Sequence, residues 1–264
     1  MLAIIRGAGD IASAIALRLH KCGASVIMTE VEHPLTVRRT VAFSEAVHSG
    51  KTQVEGVVGV RVESVDDALR RALEGVVPVL VDPKCSCIWL EPDVLVDAIL
   101  AKRNVGTTID MAPIVIGIGP GFTAGDDCHA VVETMRGHTL GRVYYEGSAL
   151  PNTAVPGLVG GFAGERVLRA PSDGTFREVT SIRDHVEAGQ AVAYVDDAPV
   201  IATLTGTLRG LLAGGTHVTK GLKCGDIDPR DEVSHCETVS DKGLAVAGGV
   251  LEAILHLSDT LTKA

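Results

Sequence analysis

The sequence predicts an α/β protein: a mostly parallel N-terminal sheet, then a mainly β domain, then a C-terminal helix. Three observations carry this. Met1 to Glu30 reads as strand, helix, strand. Strand-length apolar runs alternate with helical patterns as far as Ile118. A unit starting at Gly174 recurs at Gly206, an offset of 32 residues.

The first element organises the rest. Leu2 to Arg6 is an apolar run suited to a buried strand. Ile11 to Cys22 has the helical pattern, Gly23 ends it, and Ser25 to Thr29 is a second strand closed by Glu30. Between strand and helix, Gly7, Gly9 and Ala12 form G-x-G-x-x-A, with Glu30 about twenty residues on, which makes the unit Rossmann-like. Gly7 permits the tight turn, Gly9 lets backbone approach a ligand phosphate, and Ala12 lets helix pack on strand. Glu30 stands where a carboxylate takes a ribose hydroxyl. Asp10 suits the positive end of the helix and is expected to cap it, but it would repel a pyrophosphate. Two readings follow: a dinucleotide crevice, or the same fold with a self-capped helix and no nucleotide.

Arg38 and Arg39 follow the second strand, either as solvated side chains or as a loop reading a ligand's ribose or added phosphate. Val54 to Val62 reads as a strand or hairpin. Ser64 caps a helix from Val65 to Leu73, and Val76 to Val81 is another buried strand. Pro92 opens an expected helix through Lys102, and Ile114 to Ile118 is a further strand. The pattern changes near residue 120, giving expected domains at 1–125 and 126–238 and a terminal helical segment at 239–264.

In the repeat, Gly174-Thr175-Phe176-Arg177 matches Gly206-Thr207-Leu208-Arg209, Val186 matches Val218, and Gly189 matches Gly221, without a gap. Each copy is too small to bury a face alone, so the two are expected to pack as a pseudo-twofold pair. Residues 168–228 resemble the barrel-sandwich fold of biotinyl and lipoyl domains. The tip between the copies reads Asp196-Asp197-Ala198-Pro199, without the lysine that such domains modify. Beyond it, Ser240 caps a helix to Leu257 that is expected to dock on the N-terminal sheet. Gly248-Gly249 weakens that helix by about 1 kcal/mol per glycine, which close backbone packing would explain.

Of 264 residues, 46% are hydrophobic but only 3% aromatic, so the core is aliphatic. A net charge of −9 argues against nucleic acid as a partner. No apolar run approaches membrane length, and the N-terminus lacks a signal-peptide pattern, so a cytoplasmic protein is expected. The 6 cysteines then read as reduced thiols or ligands rather than disulfides. A homo-oligomer is compatible with the sequence.

The densest polar cluster follows Ile118. Gly117, Gly119 and Gly121, with Phe122, form a loop whose N–H groups can cup an anion at the ligand-binding edge of an α/β sheet. The alternative is a glycine-rich turn into the second domain. Asp126, Cys128 and His129 are the catalytic candidates, with Cys128 as an activated thiol. His129 and Glu133 would be neighbours on a helix. No standard metal-ligand spacing is present, and no metal is expected. Cys85-Ser86-Cys87 reads either as core and loop residues or as a thiol pair for soft atoms, sulfur or selenium. Arg136, Arg166, Arg169 and Arg230 would suit a phosphate-bearing ligand if they converged on the glycine loops.

Several segments together are more specific than any of these motifs. They are Ile5-Arg6-Gly7-Ala8-Gly9-Asp10, Thr29-Glu30, Pro92 to Ile99, Gly119-Pro120-Gly121-Phe122, Glu133 to His138, Pro151-Asn152-Thr153, Leu168 to Pro171, Gly225 to Arg230 and Ser240-Asp241-Lys242. Through them the chain resembles, nearly end to end, the YqeB-type proteins of the selenium-dependent molybdenum hydroxylase system. Its N-terminal part resembles the Rossmann portion of XdhC-type maturation proteins. The resemblance implies an accessory factor in hydroxylase maturation, with a molybdenum hydroxylase or its maturation machinery as partner. The ligand would be a small phosphorylated cofactor, NAD or a molybdopterin, held by Gly7, Gly9, Asp10, Ala12, Glu30, Gly117, Gly119, Gly121, Phe122 and Arg136. Two other functions compete: an NAD-dependent oxidoreductase, in which Glu30 would favour NAD over NADP, and a non-catalytic scaffold whose β repeat binds protein.

Overall fold

The computed structural model describes residues 1–153 and 157–258. Residues 154–156 and 259–264, inside the expected β domain and terminal segment, lie outside the described residues. The chain is a mixed α/β protein of two compact units. The first comprises Met1–Pro34, Ala42–Thr153 and Val239–Ala264, and the second Leu35–Val41 and Ala154–Thr238. The division differs from the expected one in that 126–153 group with the first unit and 35–41 with the second.

The first unit opens with β1 (Leu2–Arg6), α1 (Asp10–Lys21), β2 (Ser25–Glu30), α2 (Glu45–Ser49), β3 (Lys51–Val54), β4 (Val57–Val62), α3 (Val65–Leu73) and β5 (Val77–Val81). It continues with β6 (Val94–Asp97), β7 (Ile114–Ile118), β8 (Ala130–Val132), β9 (Val143–Tyr144) and, at the C-terminal end, α4 (Asp241–Leu257). The nine strands form one sheet in the order β3-β4-β5-β2-β1-β6-β7-β8-β9. Neighbours from β4 to β8 are parallel, and only the edge pairs β3–β4 and β8–β9 are antiparallel. β2 and β6 flank β1, so the chain leaves β1 toward one side and later returns on the other. Such a switch point opens a crevice at the carboxyl ends of the strands.

Both sheet faces are covered. Ile4, Ile27, Leu95, Val115 and Val131 share one cluster with Ala68 and Ala72 of α3 and with Cys85, Cys87, Phe122 and Cys128. The alternate residues Ile5, Met28, Val96 and Ile116 are fully buried toward the other face. α1 packs on α4, and α4 packs on β7, β8 and β9. The close approach uses small residues: a Cβ on Gly243 would lie 2.8 Å from Ala14 Cβ.

The expected helix from Pro92 to Lys102 is corrected. Val94–Asp97 is strand β6, paired with both β1 and β7, and irregular chain follows it. Val94, Leu95 and Val96 form an apolar run without helical period, rich in β-branched residues, and a central strand position buries it on both sides.

The second unit contains β10 (Val167–Arg169), β11 (Gly174–Glu178), β12 (His185–Val186), β13 (Ala191–Val195), β14 (Ala198–Ile201), β15 (Gly206–Leu211), β16 (His217–Val218) and β17 (Lys223–Asp228). β11, β12 and β13 start 32 residues before β15, β16 and β17 respectively. The copies exchange strands. Gly174 pairs with Val218 and Thr175 with His217, while Gly206 pairs with Val186 and Thr207 with His185. These pairings map onto each other under the same offset, which is a pseudo-twofold relation. The sheets, β10-β17-β15-β12 and β14-β13-β11-β16, enclose Phe176, Val186, Val195, Leu208, Val218 and Ile227.

Candidate functional site

The carboxyl edge of the nine-stranded sheet carries both glycine bends. The first is closed by its own chain. Glu30 Oε2 accepts the Ala8 N–H at 2.9 Å and Oε1 the Val31 N–H at 2.8 Å. Ala8 O accepts from Ser13 Oγ and Ser44 N. A Cβ on Gly7, at φ +92, would lie 3.0 Å from Ala98 O. The helix cap is Gly9, without a side-chain cap bond, so Asp10 lies in the first turn rather than capping it. Ala12 is buried, as helix–strand packing requires. Burial raises the Glu30 carboxyl above its ordinary value, against the hydrogen bonds from Val31 and Ala8. The side chain placed by sequence at a ribose is therefore occupied in tying β2 to the turn after β1.

Packing also accounts for the second bend. The Phe122 ring occupies the space where Gly117 would carry a Cβ. Gly119 abuts Thr134, and a Cβ on Gly121 would lie 2.6 Å from the Arg103 backbone. The loop that follows β6, 98–107, touches both bends: Ala98 and Ile99 at Gly7, Arg103 at Gly121. Asn104 fixes it by donating to Thr107 O at 2.7 Å and to Asp127 Oδ1 at 3.0 Å. Beneath it Arg6 donates to Asp97, Thr107 and Val105, and the Thr107 hydroxyl donates to Asp97 at 2.6 Å. The bends are thus separated by a buttressed loop.

Cations gather on the rim of this loop. Lys242, in the first turn of α4, has its ammonium held below the ordinary lysine value by burial and by the like charges of Lys102 and Arg136, while Asp10 and Glu133 oppose the shift. Burial lowers Lys102 in the same way. Neither ammonium has a hydrogen-bond or ion-pair partner among the described residues. Arg136 forms a fork with Asp241, at 2.6 and 2.9 Å. Glu133 is fully buried and accepts N–H groups of Thr134, Met135 and Leu150. The N-terminus of α1 stands beside Asp10, so helix dipole and lysines meet here.

The catalytic candidates are corrected. Glu133 follows strand β8 and His129 precedes it, so the two do not share a helix face. His129 Nδ1 accepts the Val115 N–H at 3.0 Å, whereas the Cys128 thiol faces Thr123 O at 3.9 Å. Burial pushes Cys128 up to about 11, which keeps it protonated at neutral pH. Asp126 sits in the exposed turn, where its N–H donates to Thr123 O.

The other arginines serve the second unit. Arg38 donates to the carbonyls of His235 and Thr238, and Arg39 to Leu211 O, so neither is a ribose-reading or merely solvated side chain. Arg166 and Arg209 bind Asp226, while Arg209 and Arg230 bind Asp228. Arg169 donates to Gly221 O. Among the described residues no group of His, Cys, Asp and Glu is placed to hold a metal, and no helix is long and apolar enough to cross a membrane.

All 264 residues align at 51% identity with an uncharacterized protein, YqeB, of Escherichia coli K12. The chain is similar to YqeB from end to end. It spans about half of that curated relative's length, 49%. No family model matches. Among solved structures, an aspartoacylase family protein from Mesorhizobium loti aligns over 86% of this chain and 84% of its own, with 13% identity and a TM-score of 0.27. A succinylglutamate desuccinylase/aspartoacylase from Rhodobacter sphaeroides aligns over the same shares, with 15% identity and a TM-score of 0.25. Scores this low carry no argument about fold or chemistry.

Proposed function

We propose that the chain binds a phosphate-bearing small molecule at the carboxyl edge of a Rossmann-type sheet. It does so as an accessory factor in the cytoplasmic maturation of selenium-dependent molybdenum hydroxylases. One observation supports the anion site most: Lys102 and Lys242, neither with a hydrogen-bond or ion-pair partner among the described residues, are both held below the ordinary lysine value, Lys102 by burial and Lys242 by burial and the charge of Lys102, with Asp10 at the start of a twelve-residue helix beside Lys242. An anion between them would relieve the repulsion and use the helix dipole. The pathway rests only on the resemblance of the segments quoted above to YqeB-type proteins. The β unit would be the partner-facing module, and its exchanged strands support a barrel-sandwich type of fold.

A molybdopterin phosphate fits this reading better than a dinucleotide, because Glu30 is occupied by Ala8 and the 98–107 loop abuts Gly7. Titration with molybdopterin and with NADH, followed by ligand fluorescence, tests it. Saturable molybdopterin binding and co-purification with a hydroxylase are expected. Failure of both would overturn the reading, and binding of NADH alone would move it to the oxidoreductase.

A further inference from the structure

The two sheets of the second unit correspond position by position: β11 and β15 stand third in their sheets, and β13 and β17 second. Each of these pairs is offset by 32 residues. The outer face of the β15–β17 sheet is closed by the unit's own chain. Thr207, Arg209, Asp226 and Asp228 are buried there, and Arg209 binds both carboxylates. The stretch Leu35–Val41 lies against the same strand. A Cβ on Gly210 would lie 2.8 Å from Val37 Cγ1, the Leu211 N–H donates to Val37 O at 2.8 Å, and Arg39 Nε donates to Leu211 O at 2.9 Å.

The matching face of the β11–β13 sheet is open. Phe176, Val195 and Val200 are buried, so the residues alternating with them, Arg177, Tyr194, Pro199 and Ile201, point outward. Arg177 stands opposite Tyr194 and Tyr194 opposite Pro199, a row across three strands, with Thr175 opposite His217 beside it. Arg177 and Pro199 are exposed, and Ile201 is 42% exposed. By the 32-residue offset Arg177 is the counterpart of Arg209, and Tyr194 that of Asp226. The Arg177 guanidinium therefore lies over a ring, 5.0 Å from its centroid, where Arg209 has a carboxylate. Asp196, the counterpart of Asp228, accepts the Thr175 N–H at 3.0 Å instead. A guanidinium fixed on an aromatic plane keeps its N–H fork free for a carboxylate.

We propose that this open face docks a short acidic and apolar segment of a partner protein. The segment lies on Tyr194, Pro199 and Ile201 and brings to Arg177 the carboxylate that Asp226 gives Arg209. The covered sheet is the precedent within the same unit: a short stretch of chain closes the equivalent face with backbone hydrogen bonds and the apolar side chain of Val37. This rests on the β unit being the partner-facing module, and it adds which surface faces the partner and the chemistry that surface selects. The cations of the anion site take no part in it.

The test titrates the full chain with an acetylated, amidated peptide as long as the 35–41 stretch, alternating valine and glutamate, and follows backbone amide shifts by NMR. Saturable shifts centred on β11, β13 and β14 are expected. Arg177→Glu should weaken binding at least about tenfold and prefer the same peptide with lysine in place of glutamate. Pyrophosphate binding should be the same in R177E and the unmutated chain, so loss of the docking face and loss of the anion site are told apart. The proposal fails if the peptide does not bind, binds elsewhere, or binds R177E equally well. It also fails if sedimentation shows a dimer that R177E dissociates, because the face then belongs to a second copy. Should R177E not fold by circular dichroism, R177Q takes its place with the same loss expected.

Discussion

Glu30 Oε2 accepts the Ala8 N–H at 2.9 Å, so the residue closing β2 is bonded to the turn that follows β1. Glu30→Ala therefore leaves a donor unsatisfied and should cost about 1–3 kcal/mol, read as a lower denaturation midpoint. The pH dependence has a definite sign. Burial raises the folded carboxyl, so its contribution is fully present below the unfolded value and declines as pH rises through the folded one. The penalty of Glu30→Ala should shrink from acid to neutral pH.

In the second unit the sign reverses. Burial opposes ionisation of Asp226 and Asp228, but Lys223, Arg209, Arg166 and Arg230 outweigh it and hold both carboxyls below their ordinary values. Their contribution is present above the unfolded value of about 3.9 and lost as pH falls through the folded values. The protection of the β15 and β17 amides against hydrogen exchange, measured relative to the intrinsic rate at each pH, should fall on acidification through that range.

Arg209 donates to Asp226 at 2.8 Å and to Asp228 at 3.1 Å, with its side chain 8% exposed. Arg209→Met removes a shared partner of two buried carboxylates and should cost about 3–5 kcal/mol in thermal or chemical unfolding.

The glycine pair of α4 should split. A Cβ on Gly248 meets nothing within 4 Å, so Gly248→Ala should stabilise by about 0.5–1 kcal/mol. A Cβ on Gly249 would strike Gly141 O and Val132, so Gly249→Ala should destabilise by about 1–3 kcal/mol. Melting curves of the two variants check the contrast.

These contrasts mark what the sequence could disclose. The β1–α1–β2 unit carried its periodicity but not its cap, which is Gly9 rather than Asp10, whereas Ser64 and Ser240 cap α3 and α4 as expected. The repeat was legible as a 32-residue offset, because each copy needs the same glycines and apolar positions, but its strand bounds were not. Val94–Asp97 was misread because a short apolar run suits a helix or a buried strand equally until its neighbours are known. The two glycine bends were visible, but not the loop between them, since 98–107 is irregular and its fixing contacts, Arg6 with Asp97 and Asn104 with Asp127, are distant in sequence. The Lys102–Lys242 cluster had no local signal at all. Its members stand 140 residues apart, on a loop and at a helix start.

That cluster carries the functional account. The most direct measurement is calorimetric titration of inorganic pyrophosphate into the full chain and into the K102M/K242M variant, with circular dichroism as the folding check. Saturable, salt-sensitive binding is expected, weakening at least about tenfold, or about 1.4 kcal/mol, in the folded variant. Equal affinity in both proteins, or no saturable binding to the unmutated chain, would contradict it.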